Sequence, residues 1–156
     1  MWGAWMPVAS LDEIRSKIGS DIGSTDWVEI SQERIDAFAD VTIDPQFIHV
    51  DPERAAAGPF GGTIAHGFLT LSMLSWMSNQ VVLLPPNAKL SVNYGFERIR
   101  FIAPVRAGKR IRGHFRLASF VEKQAGQWQN VHEVTVEIEG EEKPALVAEW
   151  IGRIFT

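Results

Sequence analysis

His66-Gly67-Phe68-Leu69-Thr70-Leu71-Ser72-Met73-Leu74-Ser75-Trp76-Met77-Ser78-Asn79-Gln80-Val81-Val82 covers nearly all of the most apolar stretch of the chain, Gly67 to Leu84. Phe68, Leu69, Leu71, Met73, Leu74, Trp76, Met77 and Val81 would cover most of the circumference of a helix. A helix apolar nearly all round is a buried one, so the spacing predicts a long central helix from His66 to Val82. One narrow stripe differs. Ser72, Ser75 and Asn79 fall at i, i+3 and i+7 and share a side. These polar groups, and the shortness of the run, argue against a membrane span. Gly58-Pro59-Phe60-Gly61-Gly62 breaks the chain before this segment, and Pro85-Pro86 breaks it after.

Beyond Pro86 the period changes from helical to alternating. Leu90, Val92, Tyr94 and Phe96 point one way, and Ile99 and Phe101 continue out of phase. That slip predicts a β-bulge near Glu97-Arg98. Ile111, Gly113, Phe115 and Leu117 alternate with Arg110, Arg112, His114 and Arg116. Val134, Val136 and Ile138 form another strand, and Leu146, Ala148 and Trp150 the last, with a turn at Gly140–Lys143. His114 and His132 read as surface strand residues. Upstream, Ser10 and Glu13 form a capping box, Ser31 caps a second helix, and Asp51-Pro52 starts a short third one. Trp27 to Ile30 is a short strand, and Thr42 to His49 a turn and loop.

A single apolar helix wrapped by an antiparallel sheet satisfies both patterns. The arrangement is an α+β hot-dog fold, one domain over residues 1–156. Such a sheet leaves an uncovered edge, which points to a homodimer. The composition agrees, with 46% hydrophobic and 22% charged residues, ordinary for a globular domain. There is no cysteine, so disulfides, thiolate zinc sites and a cysteine nucleophile are excluded together. A net charge of −4 speaks against nucleic acid as a partner. The first residues, Met-Trp-Gly-Ala-Trp-Met-Pro, lack the basic start and long apolar core of a signal peptide. The expectation is a cytoplasmic protein off the membrane.

Two segments carry chemistry. Thr42-Ile43-Asp44-Pro45-Gln46-Phe47-Ile48-His49 puts a carboxylate and an imidazole five residues apart among apolar neighbours. Gly61-Gly62-Thr63-Ile64-Ala65-His66-Gly67 is glycine-rich and opens the central helix. The first N–H groups of a helix have no partner within it and lie at its positive end. Such a terminus suits a developing oxyanion. Carboxylate, imidazole and helix N-terminus together supply what adding water next to a carbonyl requires.

Asp44-x4-His49-Val50-Asp51-Pro52, followed by Gly61-x-Thr63-Ile64-Ala65-His66-Gly67, closely resembles the MaoC-like dehydratase family, which includes (R)-specific enoyl-coenzyme A hydratases. Asn93-Tyr94-Gly95, Arg98, Arg100-Phe101 and Pro104-Val105 extend the likeness, which covers roughly residues 31 to 120. Gln46 and Phe47 stand where many members have Asn and Pro, and this variant looks more like the subgroup similar to nodulation protein N. The resemblance implies reversible hydration of an enoyl thioester without a cofactor. Asp44 and His49 would activate water, the N–H of Gly67 would hold the thioester oxygen, and Ser75 would lie near the pair.

Of fifteen Lys and Arg residues, seven fall between Arg98 and Arg116, with no Asp or Glu among them. That segment suits the phosphates of coenzyme A, with Arg98, Arg100 and Arg112 as candidate contacts. The other reading is a solvated strand face. His66 is taken as a substrate contact or as a structural residue at the helix start. Asp44, His49 and His66 could be pictured as a metal set, but their spacing matches no common metal motif. A hot-dog thioesterase and a non-catalytic acyl-thioester-binding subunit are the alternatives. The thioester carrier is coenzyme A or acyl carrier protein.

Overall fold

Side-chain caps set the helix starts. The Ser10 hydroxyl accepts from the Glu13 N–H at 3.2 Å, and the Glu13 carboxylate accepts from the Ser10 N–H at 2.9 Å, before helix α1 (Leu11–Ser16). Ser31 caps α2 (Gln32–Thr42), and the Asp51 carboxylate caps α4 (Pro52–Ala56) by accepting from the Arg54 N–H at 3.0 Å. Between them lies the short α3 (Phe47–Val50). The computed structural model describes residues 6–156, so the first five residues of the N-terminal reading lie outside it.

The central helix runs as α5 (Gly67–Ser72) and α6 (Leu74–Val81), joined at Met73. The Met73 N–H still bonds Leu69 O and the Met77 N–H bonds Met73 O, so the axis continues through the join. Among the described residues six strands make one antiparallel sheet: β1 (Asp21–Ser24), β2 (Val28–Glu29), β3 (Leu90–Phe101), β4 (Arg110–Gln124), β5 (Gln127–Ile138) and β6 (Leu146–Phe155). Their order is β1-β4-β5-β6-β3, with β2 also on β4. The expected bulge is present, where Phe96 faces Trp150 and Arg98 faces Glu149, leaving Glu97 unopposed. A second bulge leaves Tyr94 unopposed. Strand β1 has no apolar alternation and was not foreseen.

The main core fills the space between helix and sheet. Leu74, Met77, Ile111, Phe115, Val136, Ile138 and Leu146 are at most 1% exposed, and Val134 is 2% exposed. Each such side chain contributes about 1.5–3 kcal/mol by leaving water. Gly113 lets the helix approach: a Cβ there would lie 2.7 Å from the Phe115 ring and 3.0 Å from Met77 Sδ. A second cluster of Ile14, Leu84, Leu117, Phe120, Trp128 and Ile154 lies under α1.

Two expectations need correction. The central helix is not buried all round, because Phe68 is 70% and Trp76 37% exposed. Its apolar circumference exceeds what one sheet can cover. His132 is not on the surface. It is buried on the inner face of β5, in phase with Val134 and Val136. No helix among the described residues is long and apolar enough to cross a membrane.

Candidate active site

Asp44 follows α2 directly. Ile43 closes that helix in the left-handed conformation, at φ 56°. A β-branched residue seldom sits there, and such strain persists only where the surroundings hold it. Here the Asp44 N–H is held by Ala39 O at 3.0 Å, while the Asp44 side chain stays 55% exposed.

His49, on α3, is buried. Its Nδ1 lies 2.7 Å from Ile64 O, so Nδ1 carries the proton and donates it to that carbonyl. The Nε2 lone pair is thereby left bare. The Ile64 N–H returns a bond to Ile48 O at 3.0 Å, which ties the two motif segments together. Burial pushes the His49 pKa below the usual histidine value. The Ile64 bond works against that shift, the neighbouring His66 ring adds to it, and the Asp44 carboxylate opposes it. The neutral ring is the form that can take a proton.

His66 lies face to face with His49, ring centroids 3.7 Å apart and planes at 23°. Its Nε2–H donates to Asp44 O at 3.1 Å, and the same nitrogen is 3.9 Å from the Asp44 carboxylate. One ligand atom from each of Asp44, His49 and His66 lies within 4.8 Å of the others. Stacked imidazoles aim their in-plane lone pairs side by side rather than at one point, which suits an ion poorly. The set fits proton transfer better than metal binding.

Gly67 begins α5, and no side chain caps that end. The Phe101 ring packs on Gly67 so closely that a Cβ there would lie 3.0 Å from it. Glycine is required by this approach of β3 to the helix start.

A residue the sequence did not single out joins these parts. Gln32 Nε2 donates to His49 O at 2.7 Å and to Asp36 Oδ1 at 2.7 Å, while its Oε1 accepts from the Thr63 hydroxyl. Gln32→Leu keeps the size and removes all three bonds. It is expected to lower kcat about 10- to 100-fold by loosening both segments, with KM changed less. Steady-state kinetics alongside urea unfolding checks this, and an unaltered kcat would leave Gln32 a packing role only.

The structure does not bring the other sequence candidates to this cluster. Ser75 lines a separate cavity between α6 and the sheet. Arg112 is on β4, its Nε 2.7 Å from Glu137 and its guanidinium 4.4 Å from the centre of the Trp27 ring. Lys109, Arg110 and Arg116 likewise pair with Glu141, Glu139 and Glu133. The apparent basic patch on and just before β4 is balanced from β5 and the turn that follows it, because strand pairing sets residues distant in sequence side by side. Arg98 and Arg100 lie on β3, three strands from β4 and so about 14 Å away. Arg106 passes beside the glycine loop, its Nη2 3.2 Å from where a Cβ on Gly61 would stand.

The family model described as "MaoC like domain" matches residues 13–142. Nodulation protein N of Rhizobium leguminosarum is 50% identical over 143 residues, 91% of this chain and 89% of that protein. The 3-hydroxyacyl-thioester dehydratase Z of Mycobacterium tuberculosis is 47% identical over 144 residues, 92% of this chain and 95% of that one. An (R)-hydratase from A. caviae involved in PHA biosynthesis superposes with a TM-score of 0.71 at 22% identity, over 86% of this chain and 94% of that one. At that identity the superposition speaks for the fold.

Proposed function

The chain belongs to the MaoC-like domain family, and on that footing we propose that it is a hydro-lyase, reversibly adding water to a trans-2-enoyl thioester with (R) stereochemistry. The observation that carries this reading is the His49 imidazole, fixed by Ile64 O with Nε2 bare, beside the Asp44 carboxylate.

In this mechanism Asp44 and His49 hold one water. His49 Nε2 takes a proton as the water oxygen bonds to C3 of the enoyl group. The C2–C3 π electrons move toward the thioester carbonyl, whose oxygen gains charge and accepts a hydrogen bond from the Gly67 N–H. The proton then passes from the pair to C2, restoring the carbonyl. Dehydration runs the same steps backward. General acid–base help contributes about 10²–10⁴-fold and one oxyanion donor about 10²–10³-fold, so both are needed. Arg98 and Arg100, exposed on β3, are the proposed contacts for the carrier's phosphates, whether coenzyme A or acyl carrier protein. A thioesterase reading is less well supported, since neither α5 nor α6 carries a carboxylate.

The test is loss of enoyl absorbance with crotonyl-coenzyme A, coupled separately to (R)- and (S)-specific 3-hydroxyacyl dehydrogenases. Hydration read only by the (R)-specific enzyme is the expected result. No hydration of short or long enoyl chains would overturn the reading.

The proposed working form is a homodimer in the cytoplasm; a chain without cysteine suits that reducing compartment. Strand β3 forms a sheet edge twelve residues long, and Leu90, Val92, Tyr94 and Phe101 on it are exposed together with Phe68 and Trp76. A second copy pairing its β3 there is the proposed cover for this edge. Light scattering is expected to give the dimer mass, and Val92→Lys to shift it toward monomer. A monomeric wild type would end this part of the proposal.

A further inference from the structure

The outer face of the sheet, turned away from the central helix, carries a line of hydrogen bonds apart from the Asp44–His49 cluster. Ile111, Gly113, Phe115 and Leu117 of β4 are buried against the core. Arg112, His114 and Arg116, which alternate with them, point outward and face Glu137, Thr135 and Glu133 of β5. The Ser24 hydroxyl, on the edge strand β1, lies 2.7 Å from His114 Nδ1. His114 Nε2 lies 2.6 Å from a Glu137 carboxylate oxygen, which also accepts from Arg112 Nε at 2.7 Å. A hydroxyl, an imidazole and a carboxylate are thus joined across three strands.

An irregularity in β1 sets up this contact. Asp21 faces Arg116, and a regular ladder would continue to put position 24 opposite Gly113, with its side chain turned inward. The extra residue Ile22 shifts the register, so that Gly23 faces Phe115 and Ser24 faces His114. Gly23 takes up the kink at φ 140°, a conformation that favours glycine. The Thr25 N–H bonds Gly113 O at 2.9 Å. Ladder bonds alternate along an antiparallel pair, so Ser24, one residue earlier, turns its own N–H to the open side of β1.

The proton positions follow from the charges. The Arg112 and His114 bonds hold the Glu137 carboxyl below the usual carboxylate range, so it is ionised and can only accept. In a neutral His114 ring the proton therefore sits on Nε2, and the Nδ1 lone pair accepts the Ser24 O–H. A hydroxyl bonded to a base that a third group orients is the arrangement that activates serine as a nucleophile. Beside it opens a cavity of about 270 Å³, whose polar lining is Asp21, Ser24, His114, Arg116, Glu133 and Thr135. Two carboxylates against one guanidinium make it more open to neutral or cationic molecules than to anions.

We propose that Ser24 is the nucleophile of a second active site, on the outer face of the sheet, which cleaves small neutral or cationic carboxylic esters. Ser24 Oγ bonds to the ester carbonyl carbon as its proton passes to His114 Nδ1. The carbonyl oxygen takes the displaced electron pair, and the Ser24 N–H is the donor for it. When the carbonyl re-forms, the bond to the leaving oxygen breaks, and that oxygen takes the proton from His114 and departs as an alcohol. Water then adds to the acyl-serine by the same steps, giving the acid and free Ser24. Glu137 is a positioning residue: it holds the Nε2 proton and steadies the ring while it is charged. A single oxyanion donor limits the site to esters with good leaving groups.

Labelling with a dialkyl fluorophosphate tests the nucleophile. Ser24 Oγ would bond to phosphorus as fluoride leaves, and the stable adduct is located by peptide mass spectrometry. Ser20, exposed and without an imidazole partner among the described residues, serves as the reference in the same chain. Ser24 is expected to react at least about 100-fold faster than Ser20. His114→Gln is expected to bring the two rates to within about threefold, because glutamine is not a base. Glu137→Gln is expected to slow Ser24 at least about tenfold by leaving the ring without its charge partner. Should His114→Gln fold poorly, Glu137→Gln decides, since Glu137 stands on the sheet surface outside the core. Release of p-nitrophenolate from p-nitrophenyl acetate is expected to fall in proportion to the labelled fraction of Ser24. Labelling of Ser24 no faster than Ser20 would overturn the proposal. So would a fast Ser24 that both substitutions leave unchanged, or ester cleavage undiminished after Ser24 is fully labelled.

Discussion

Asp44→Asn and His49→Gln are each expected to lower kcat by about 10²–10⁴-fold in the hydration assay. Asparagine keeps the shape of Asp44 and removes the charge that steadies a protonated His49. Glutamine has no lone pair basic enough to take a proton from water. The two substitutions differ in what they do to stability. The Asp44 side chain is half exposed, and replacing it changes stability by no more than about 0.5 kcal/mol. His49 is buried, bonded to Ile64 O and stacked on His66, so its loss is expected to destabilise by about 1–3 kcal/mol. Kinetics and urea unfolding on the same samples separate the effects. If Asp44→Asn keeps full activity, the carboxylate has no part in the chemistry. In the wild type, activity is expected to be lost on acidification at a lower pH than an ordinary histidine would set, because burial lowers the His49 pKa.

Acid is expected to destabilise the protein through His132, on the wall of the cavity beside α6. His132 has its pKa lowered from 6.5 to about 4 by burial. Between these values the unfolded chain binds a proton that the folded chain refuses. Stability therefore falls as pH drops through this window and is unaffected above it. The total loss from this group is about 3 kcal/mol. His49, lowered in the same direction, adds to the slope. Urea midpoints measured from pH 7 to pH 4 read the effect. His132→Phe, which keeps a ring edge-on to Phe115, is expected to flatten the slope. An unchanged slope would mean that His132 titrates at its ordinary value.

His132 also shows where residue type misled. Its position is in phase with Val134, Val136 and Ile138, and that period alone puts it inside. Its polarity suggested the surface, and the period won. Where apolar residues set the period, as on β4 and in the central helix, the elements were legible. The caps at Ser10, Ser31 and Asp51 were legible because their bonds span only three residues. The charges on β4 misread for the opposite reason. Their glutamate partners are 17 to 29 residues away in sequence and adjacent only once the strands pair. The Asp44–His49 pair could be recognised from its motif, and the structure adds the tautomer, the stacked His66 and the strained Ile43. Ser75 was expected near the pair from the resemblance, and it lines the cavity beside α6.

Gln32 has a consequence for inheritance. It lies in neither motif segment, yet one amide serves the His49 carbonyl and the Thr63 hydroxyl together. A lineage that replaces Thr63 with an apolar residue strands the Gln32 oxygen, and one that shortens Gln32 strands the hydroxyl. Positions 32 and 63 are therefore bound to drift as a couple. Descendants of this sequence will keep both or exchange both, and those that change one alone will be rare.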